Sequence, residues 1–188
     1  MSRLRIQQRV RIYLGCEGPS EQSYGKRLNE IADAAGLSLA LDCNILQPGG
    51  GDPLALVQLA VRRIRQKTAK RGAFAQCAVL LDRDKLGQAP DRDQQIAALA
   101  NKHKLWLIWQ NPCHEAFLLR HFPDQTTKQP QTSELAGQAL KRIWPDYRKE
   151  MPARDLAAMI DRSAVERVAE VEEDFRVFLQ KIGLVRSS

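Results

Sequence analysis

The pattern of apolar and polar residues predicts four short strands that alternate with helices. Apolar runs fall at residues 10–16, 37–46, 75–81 and 105–109. The third run is almost entirely apolar, which is typical of a strand buried on both faces of a sheet. Because helical segments separate the runs, the pattern predicts an α/β fold with a mostly parallel central sheet.

Capping signals place the helices between these strands. Ser20 is predicted as the N-cap of the first helix, which Gly36 ends. Asp52-Pro53 predicts a cap followed by proline at the first position of the second helix, and the third helix is expected over residues 91–101. Asn111-Pro112 carries the same cap-then-proline signal and predicts a helix directly after the fourth strand.

The character of the chain changes after residue 122. Residues 123–133 are polar and rich in Gln and Thr, and three apolar stripes at helical spacing follow. The longest stripe contains Val168, Val171, Phe175, Phe178 and Ile182. The sequence therefore predicts an α/β domain over residues 1–122 and a helical C-terminal extension over residues 123–188 that packs on it.

The charge of the chain favours a polyanionic partner. The 188 residues carry a formal net charge of +7, with an isoelectric point near 9.5. No apolar run approaches the roughly 18 residues that a membrane span needs. Residues 1–5 are basic but lack the apolar stretch of a signal peptide. We therefore expect a cytoplasmic protein that does not bind membranes.

The four cysteines are expected to be reduced packing residues. They are scattered along the chain without a C-x-x-C pair, at Cys16, Cys43, Cys77 and Cys113. Structural zinc sites usually show such close pairs, whereas a buried free thiol behaves as a small apolar group.

Carboxylates follow two of the predicted strands. Glu17 comes directly after the first strand, and Asp82 and Asp84 come after the third. The carboxyl edge of a parallel sheet is where ligands bind, and residues two apart in an extended segment point to the same side. Magnesium is commonly held by one or two carboxylates. The three residues are therefore predicted metal ligands, although a solvated loop is the alternative for the Asp-x-Asp segment.

Two glutamates near the first helix are further candidate catalytic residues. Glu17 precedes Gly18, where the backbone can approach a ligand closely, so it suits either a metal ligand or a general base for a water nucleophile. Glu21 lies one helical turn on. A carboxylate near a helix N-terminus is also favourable for electrostatic reasons alone, so its pattern fits a structural role equally well.

The segment from Asn111 to Glu115 lies after the fourth strand, at the same predicted edge. A helix N-terminus there offers free N–H groups to a phosphate, so Asn111 and His114 are predicted nucleic-acid contacts. Glu115 is a candidate for proton transfer, as is His114. A surface histidine at a helix start without a functional role is the commoner alternative for His114.

The second helix carries a strongly basic face. Six cations occur within ten residues with no acid among them. This density fits a phosphate-contacting surface as well as it fits a solvated helix face. The predicted nucleic-acid contacts on this face are Arg62, Arg63, Arg65, Lys67, Lys70 and Arg71.

Four segments together resemble the RloB-like proteins. The first contains Glu17, Gly18, Ser20, Glu21 and Tyr24; the others are Gly49-Gly50-Gly51-Asp52-Pro53, Leu81-Asp82-Arg83-Asp84, and the segment from Asn111 to Phe122. They occur in the family's order and cover residues 10–122. RloB-like proteins belong to the Toprim-like group, which also includes the OLD-family nucleases. His114 stands where the family usually has Phe.

The resemblance implies a Toprim-like sheet with helices on both faces. It also implies an acidic triad of Glu17, Asp82 and Asp84 that binds Mg²⁺ or Mn²⁺ and acts on phosphodiester bonds. RloB-like genes resemble parts of bacterial anti-phage or restriction-linked loci, and some relatives work beside an ATPase. This chain has no G-x-x-x-x-G-K-[ST] motif of its own.

These observations favour a Mg²⁺-dependent nuclease acting in bacterial defence. The alternative is a catalytically silent protein that binds nucleic acid or an ATPase partner. A phosphohydrolase similar to the haloacid dehalogenases ranks last, because its Asp-x-Asp motif usually follows the first strand and here it follows the third. The helical extension suits either a homodimer contact or an ATPase contact, and its pattern leaves both open.

Overall fold

A computed structural model describes residues 9–46 and 51–186. It contains a four-stranded sheet in the order β2-β1-β3-β4, and every neighbouring pair of strands is parallel. The strands are β1 (Val10–Cys16), β2 (Leu39–Ile45), β3 (Gln76–Asp82) and β4 (Trp106–Gln110). The predicted α/β fold with a parallel sheet is confirmed. The basic residues 1–5 and most of the glycine-rich segment, residues 47–50, lie outside the described residues.

Helices cover both faces of the sheet. Three helices connect the strands and five follow β4: α1 (Pro19–Ala34), α2 (Pro53–Arg71), α3 (Pro90–Lys102), α4 (His114–Leu119), α5 (Ser133–Ile143), α6 (Ala153–Leu156), α7 (Arg162–Ala169) and α8 (Glu173–Lys181). None of the helices in the described ranges combines the length and apolar character of a membrane span.

Alternation along the strands divides the core into two layers. Ile12 and Leu14 of β1 pack with α1 and the C-terminal helices, whereas Tyr13, between them, packs with α2 and α3 on the opposite face. This follows from the period of two in a β-strand, since successive side chains point to opposite faces. The predicted helices on both faces are therefore confirmed.

Two helix starts differ from the sequence prediction. Gly18, not Ser20, is the N-cap of α1, because Pro19 takes the first helical position and the Glu21 carboxylate accepts a hydrogen bond from the Gly18 N–H at 2.9 Å. The helix expected at Asn111-Pro112 begins only at His114. The Asn111–Pro112 peptide is cis, and the Pro112 carbonyl accepts hydrogen bonds from residues 83 and 84.

The longest apolar stripe of the extension forms two helices and not one. The chain leaves the helical conformation between α7 and α8, where Val171 is 43% exposed and Glu172 forms an ion pair with Arg120. Val168 and Phe175, on either side of this break, both reach the core. The apolar spacing in the sequence continues across this break because both helices pack on the same hydrophobic layer.

The C-terminal extension shares its core with the sheet. Buried side chains from its helices and loops join those of β1, β3 and α1 in one hydrophobic cluster. Phe175 of α8 packs edge-on against Phe117 of α4 with ring centroids 5.0 Å apart, and the Trp106 indole N–H donates to the Asp174 carbonyl at 2.8 Å. The predicted boundary at residue 122 stays a prediction.

A buried histidine in this cluster makes stability depend on pH. His121 is 1% exposed; its Nε2 lies 2.9 Å from the Tyr24 hydroxyl and its Nδ1 3.1 Å from the Phe117 carbonyl oxygen. A neutral ring satisfies both, donating from Nδ1 and accepting from the tyrosine. Burial lowers the pKa of His121 from 6.5 to about 3. The folded state therefore stays neutral where the unfolded state takes up a proton.

We expect the free energy of unfolding to fall as the pH drops below 6.5, and His121 to contribute about 1.4 kcal/mol per pH unit to this fall. The measurement is urea unfolding at pH 7, 5.5 and 4.5 for the wild-type protein and His121→Gln. The difference between the two slopes isolates this histidine from other titrating groups. Equal slopes would contradict the assignment.

Candidate active site

The carboxyl ends of β1 and β3 are neighbours, and each ends at a carboxylate. Cys16 pairs with Leu80 in the parallel register, so Glu17 and Asp82 follow at the same edge of the sheet. The Asp82 backbone N–H donates a hydrogen bond to Glu17 Oε2 at 3.2 Å. The structure thus brings together the two carboxylates that the strand ends predict.

These two residues line a small acidic pocket of about 290 Å³. We call it the acidic pocket; its lining consists of Glu17, Gly18, Pro19, Ser20, Glu21, Asp82, His114, Glu115, Lys149 and Glu150. Five of the ten are acids. Sequence reasoning named Glu17, Glu21, Asp82, His114 and Glu115 but missed Lys149 and Glu150, which lie in the C-terminal extension.

Asp82 is the most perturbed carboxyl of the pocket. Burial, and after it the negative charges of Glu17, Glu21, Asp84 and Glu115, together raise its pKa to about 9. Its Oδ1 atom is buried and has no hydrogen-bond partner in the described part of the chain. An uncompensated buried carboxylate is costly, so the ionised form of Asp82 needs a nearby cation.

The backbone of Gly51 passes close to the carboxylate of Glu17. Burial raises its pKa, the Asp82 N–H lowers it, and the charges of Glu21 and Asp84 raise it again. A Cβ atom on Gly51 would lie 2.6 Å from Glu17 Oε1, so only glycine leaves the carboxylate where it is. Lys85 donates to the Gly51 carbonyl at 2.6 Å and places a cation beside this carboxylate. No sequence pattern indicates a role for Lys85.

Asp84 lies outside the acidic pocket. The extended conformation expected from Asp82 to Asp84 is wrong, because β3 ends at Asp82 and a turn follows. The N–H groups of Arg83 and Asp84 both donate to the Pro112 carbonyl, at 3.0 and 3.1 Å, which bends the chain here. Asp84 is exposed, yet its charge contributes to the raised pKa of both Glu17 and Asp82, so it stands near them.

Glu21 and Glu115 are buried polar residues with partners. Glu21 caps α1 through the Gly18 N–H and is 5% exposed. Glu115 is 8% exposed, and its Oε1 lies 3.5 Å from Lys149 Nζ. Burial alone would raise the pKa of Glu115, but its own backbone N–H, His114 and Lys149 outweigh burial and lower it.

His114 is buried, so the surface-histidine alternative is wrong. It is 2% exposed, and its Nδ1 lies 2.9 Å from the Gln110 side-chain nitrogen. Its Nε2 atom has no hydrogen-bond partner among the described residues, and the ring lines the acidic pocket. Burial lowers the pKa of His114, which favours a neutral ring at pH 7.

The structure does not bring Asn111 into the acidic pocket. Asn111 lines a separate polar cavity with Arg83 and Trp109, and its carbonyl accepts a hydrogen bond from Arg120 at 2.5 Å. Because α4 starts three residues later and has only six residues, the phosphate contact predicted for Asn111 has no geometric support here.

The cations on the basic face of α2 fall into two groups: some bind within the chain, and the others are exposed. Arg63 donates to the Ile45 carbonyl and Lys67 pairs with Asp42 at 2.7 Å, so both bind within the chain. The exposed members are Arg62, Arg65, Lys70 and Arg71. Arg11, near the start of β1, donates to the carbonyls of Arg71 and Gly72 at 2.6 and 2.8 Å. The last turn of α2 therefore lies at the edge of the sheet opposite the acidic pocket.

The chemistry of the pocket suits a hard divalent cation. Its donors are carboxylate oxygens, the ligands that Mg²⁺ and Mn²⁺ prefer, and the partnerless Oδ1 of Asp82 is one of them. Within residues 9–46 and 51–186, however, no group of three or more His, Cys, Asp or Glu side chains is placed to hold a metal ion. The carboxylates share a pocket without converging on one point, so joint coordination requires side-chain rotation.

A comparison with protein families gives one match over most of the chain. The family model described as RloB-like protein matches residues 12–177. This range includes both strand ends of the acidic pocket, and it extends through the segment that supplies Lys149 and Glu150. No curated protein and no solved structure matches the chain.

Proposed function

The chain belongs to the RloB-like family, and from this premise we propose that it is a metal-dependent phosphodiester hydrolase, a nuclease that uses Mg²⁺ or Mn²⁺. The observation that carries the proposal is the acidic pocket. Glu17, Glu21, Asp82 and Glu115 line one small cavity at the carboxyl edge of a parallel sheet. Several acids around a buried Asp82 destabilise the folded protein unless a cation offsets their charge. Such an arrangement is typical of a site that binds a cation.

We assign a role to each of four side chains. Asp82, inside the acidic pocket, is the principal ligand, and the exposed Asp84 nearby would be a second ligand after a side-chain rotation. The cation would neutralise negative charge on the scissile phosphate when bound. Glu17 uses Oε2 for the Asp82 N–H, and its Oε1 remains to bind the cation or to accept a proton from the attacking water. His114 lines the pocket, and its Nε2, which has no hydrogen-bond partner in the described residues, is the atom we assign to contact a phosphate oxygen.

The biological setting is part of the same proposal. Similarity of the motifs to the Toprim-like group supports a shared origin with phosphodiester-cleaving enzymes. Membership of the RloB-like family supports a role in bacterial anti-phage or restriction-linked defence. The protein would then work with nucleic acid and beside an ATPase partner.

The experiment is a cleavage assay on plasmid, single-stranded DNA and tRNA, each with Mg²⁺, Mn²⁺ or EDTA. We expect cleavage of at least one substrate with a divalent cation and none with EDTA. Cleavage that persists in EDTA would contradict the metal-dependent mechanism.

Binding without cleavage is the second candidate function. The observation that favours it is that the described side chains include no ready group of three metal ligands. In that case the protein would bind nucleic acid equally well with and without EDTA and cleave none of the three substrates. Metal-dependent cleavage would exclude this candidate.

Gly51→Ala tests the role of Glu17 without touching it. The new methyl group would lie 2.6 Å from Glu17 Oε1 and 2.9 Å from Lys85 Nζ, both ends of flexible side chains. We therefore expect the carboxylate to move, cleavage to fall at least about tenfold, and the melting temperature to change little. Glu17→Gln is the comparison variant and should lose at least as much activity. Full activity of Gly51→Ala would show that the position of Glu17 does not matter.

A further inference from the structure

The segment that joins α5 to α6 passes beside the acidic pocket. We call residues 144–151 the strap. Trp144, Tyr147 and Met151 anchor it in the main hydrophobic cluster. Glu150 holds a left-handed backbone conformation with φ of 66°, and its N–H donates to Ser20 Oγ at 3.1 Å. The strap is thus fixed to the start of α1, and Lys149 and Glu150 line the acidic pocket.

A second cavity of about 590 Å³ lies between the strap and α5. We call it the strap groove; its lining consists of Glu115, Ser133, Glu134, Gly137, Gln138, Lys141, Tyr147, Arg148 and Lys149. Glu115 and Lys149 line both cavities. The acidic pocket and the strap groove therefore meet at this pair, whose charged atoms are 3.5 Å apart.

The chemistry changes across this junction. The acidic pocket is lined by five acids and one cation, whereas the strap groove carries Lys141, Arg148 and Lys149 against two acids. Tyr147 lines the groove, and its hydroxyl is buried within the fold near Ser20 and Glu115. Tyr147 itself is 5% exposed. The strap groove is therefore the more basic of the two adjoining cavities.

We propose that the strap groove binds a single nucleic-acid strand on one side of the cleaved bond, with Lys149 contacting the phosphate at the junction. This inference rests on the proposed function of the acidic pocket. A polynucleotide strand extends beyond the bond that is cut, and the acidic pocket is only about half the size of the groove beside it. Lys149 lies where the strand passes from one cavity to the other, and Lys141 offers charge for the next phosphate. Arg148 is paired with Asp155 at 3.0 Å.

The test is fluorescence anisotropy with a labelled 12-nucleotide strand of DNA and the same strand of RNA, both in EDTA so that cleavage cannot occur. Removing two phosphate contacts in Lys141→Ala/Lys149→Ala should weaken binding roughly tenfold. It should also reduce the slope of log affinity against log salt by about 1.4, or roughly 0.7 per contact on a single strand. Comparing the two probes shows whether the groove prefers DNA or RNA.

The matched control is Lys26→Ala/Lys102→Ala, which removes the same charge from exposed positions on α1 and α3. We expect its affinity and salt slope to stay near those of the wild-type protein. Equal losses in the two double variants would overturn the inference, since they would show a response to net charge alone. Failure of the wild-type protein to bind either strand would also overturn it.

Binding and cleavage separate this inference from the proposed function. If the wild-type protein cleaves but Lys141→Ala/Lys149→Ala binds normally, the groove assignment fails and the nuclease assignment stands. If the wild-type protein does not cleave but only this variant loses binding, the nuclease assignment fails and the groove assignment stands.

Discussion

Asp82→Asn is expected to reduce metal-dependent cleavage at least about 100-fold and to leave the fold intact. Removing a residue that only hydrogen-bonds to a metal ligand already lowers metal affinity or activity roughly 10–100-fold. Asp82 is assigned to the cation directly, so its loss should have at least the upper end of this effect. Its Oδ1 is a buried carboxylate atom without a partner in the described ranges. An amide has nearly the same shape but no charge, so it removes the electrostatic contribution while keeping the packing.

The same substitution should not destabilise the protein. Burial and the neighbouring carboxylates together raise the pKa of Asp82 to about 9, so its ionised form opposes folding when no cation is present. Replacing it with a neutral side chain removes this repulsion. We expect the free energy of unfolding in EDTA to stay equal or to rise by about 1 kcal/mol. Urea unfolding and the cleavage assay on the same preparation measure both effects.

Asp124→Asn is the control, because Asp124 is exposed and does not line the acidic pocket. It should keep full activity and stability. Wild-type cleavage by Asp82→Asn would remove the metal assignment. A large loss of stability in that variant would instead show that Asp82 holds the fold together.

Phe175→Ala is expected to destabilise the protein by about 3–5 kcal/mol, as truncation of a fully buried aromatic residue usually does. Phe175 of α8 is 0% exposed, and its side chain packs in the hydrophobic cluster that α8 shares with the sheet. Its ring centroid is 5.0 Å from that of Phe117 and 6.0 Å from that of Tyr24. The substitution therefore loses contacts with both α4 and α1 and leaves a cavity between the extension and the rest of the core.

Val171→Ala is the matched control for this prediction. Val171 lies in the same apolar stripe of the sequence but is 43% exposed, so its truncation should change stability by no more than about 0.5 kcal/mol. Urea unfolding of both variants measures the difference. Equal small effects would mean that the extension contributes little to the shared core.

The strands and their functional ends were predictable from the sequence because the apolar runs are short and clearly bounded. The run at residues 10–16 matches β1, and the run at 75–81 is displaced by one residue from β3. Because neighbouring parallel strands end at the same edge of the sheet, Glu17 and Asp82 lie close together there. Asp84 did not follow this logic, because the turn after β3 depends on the Pro112 carbonyl, which comes from another part of the chain.

The rest of the site depends on contacts between distant parts of the chain. Lys149 and Glu150 enter the acidic pocket because the strap is fixed to Ser20, 130 residues away in sequence. No local pattern marks such a contact. The burial of His114 also depends on tertiary packing, since its ring lies against Phe117 and Tyr24 within the aromatic cluster.

The central claim is that a divalent cation acts at the acidic pocket, and a Mn²⁺ titration followed by electron paramagnetic resonance tests it most directly. The signal of free Mn²⁺ reports how much of the added cation the protein takes up. We predict saturable uptake by the wild-type protein, much weaker uptake by Asp82→Asn, and unchanged uptake by Asp124→Asn. Mn²⁺ that stays free with the wild-type protein, or equal uptake by wild type and Asp82→Asn, would contradict the account.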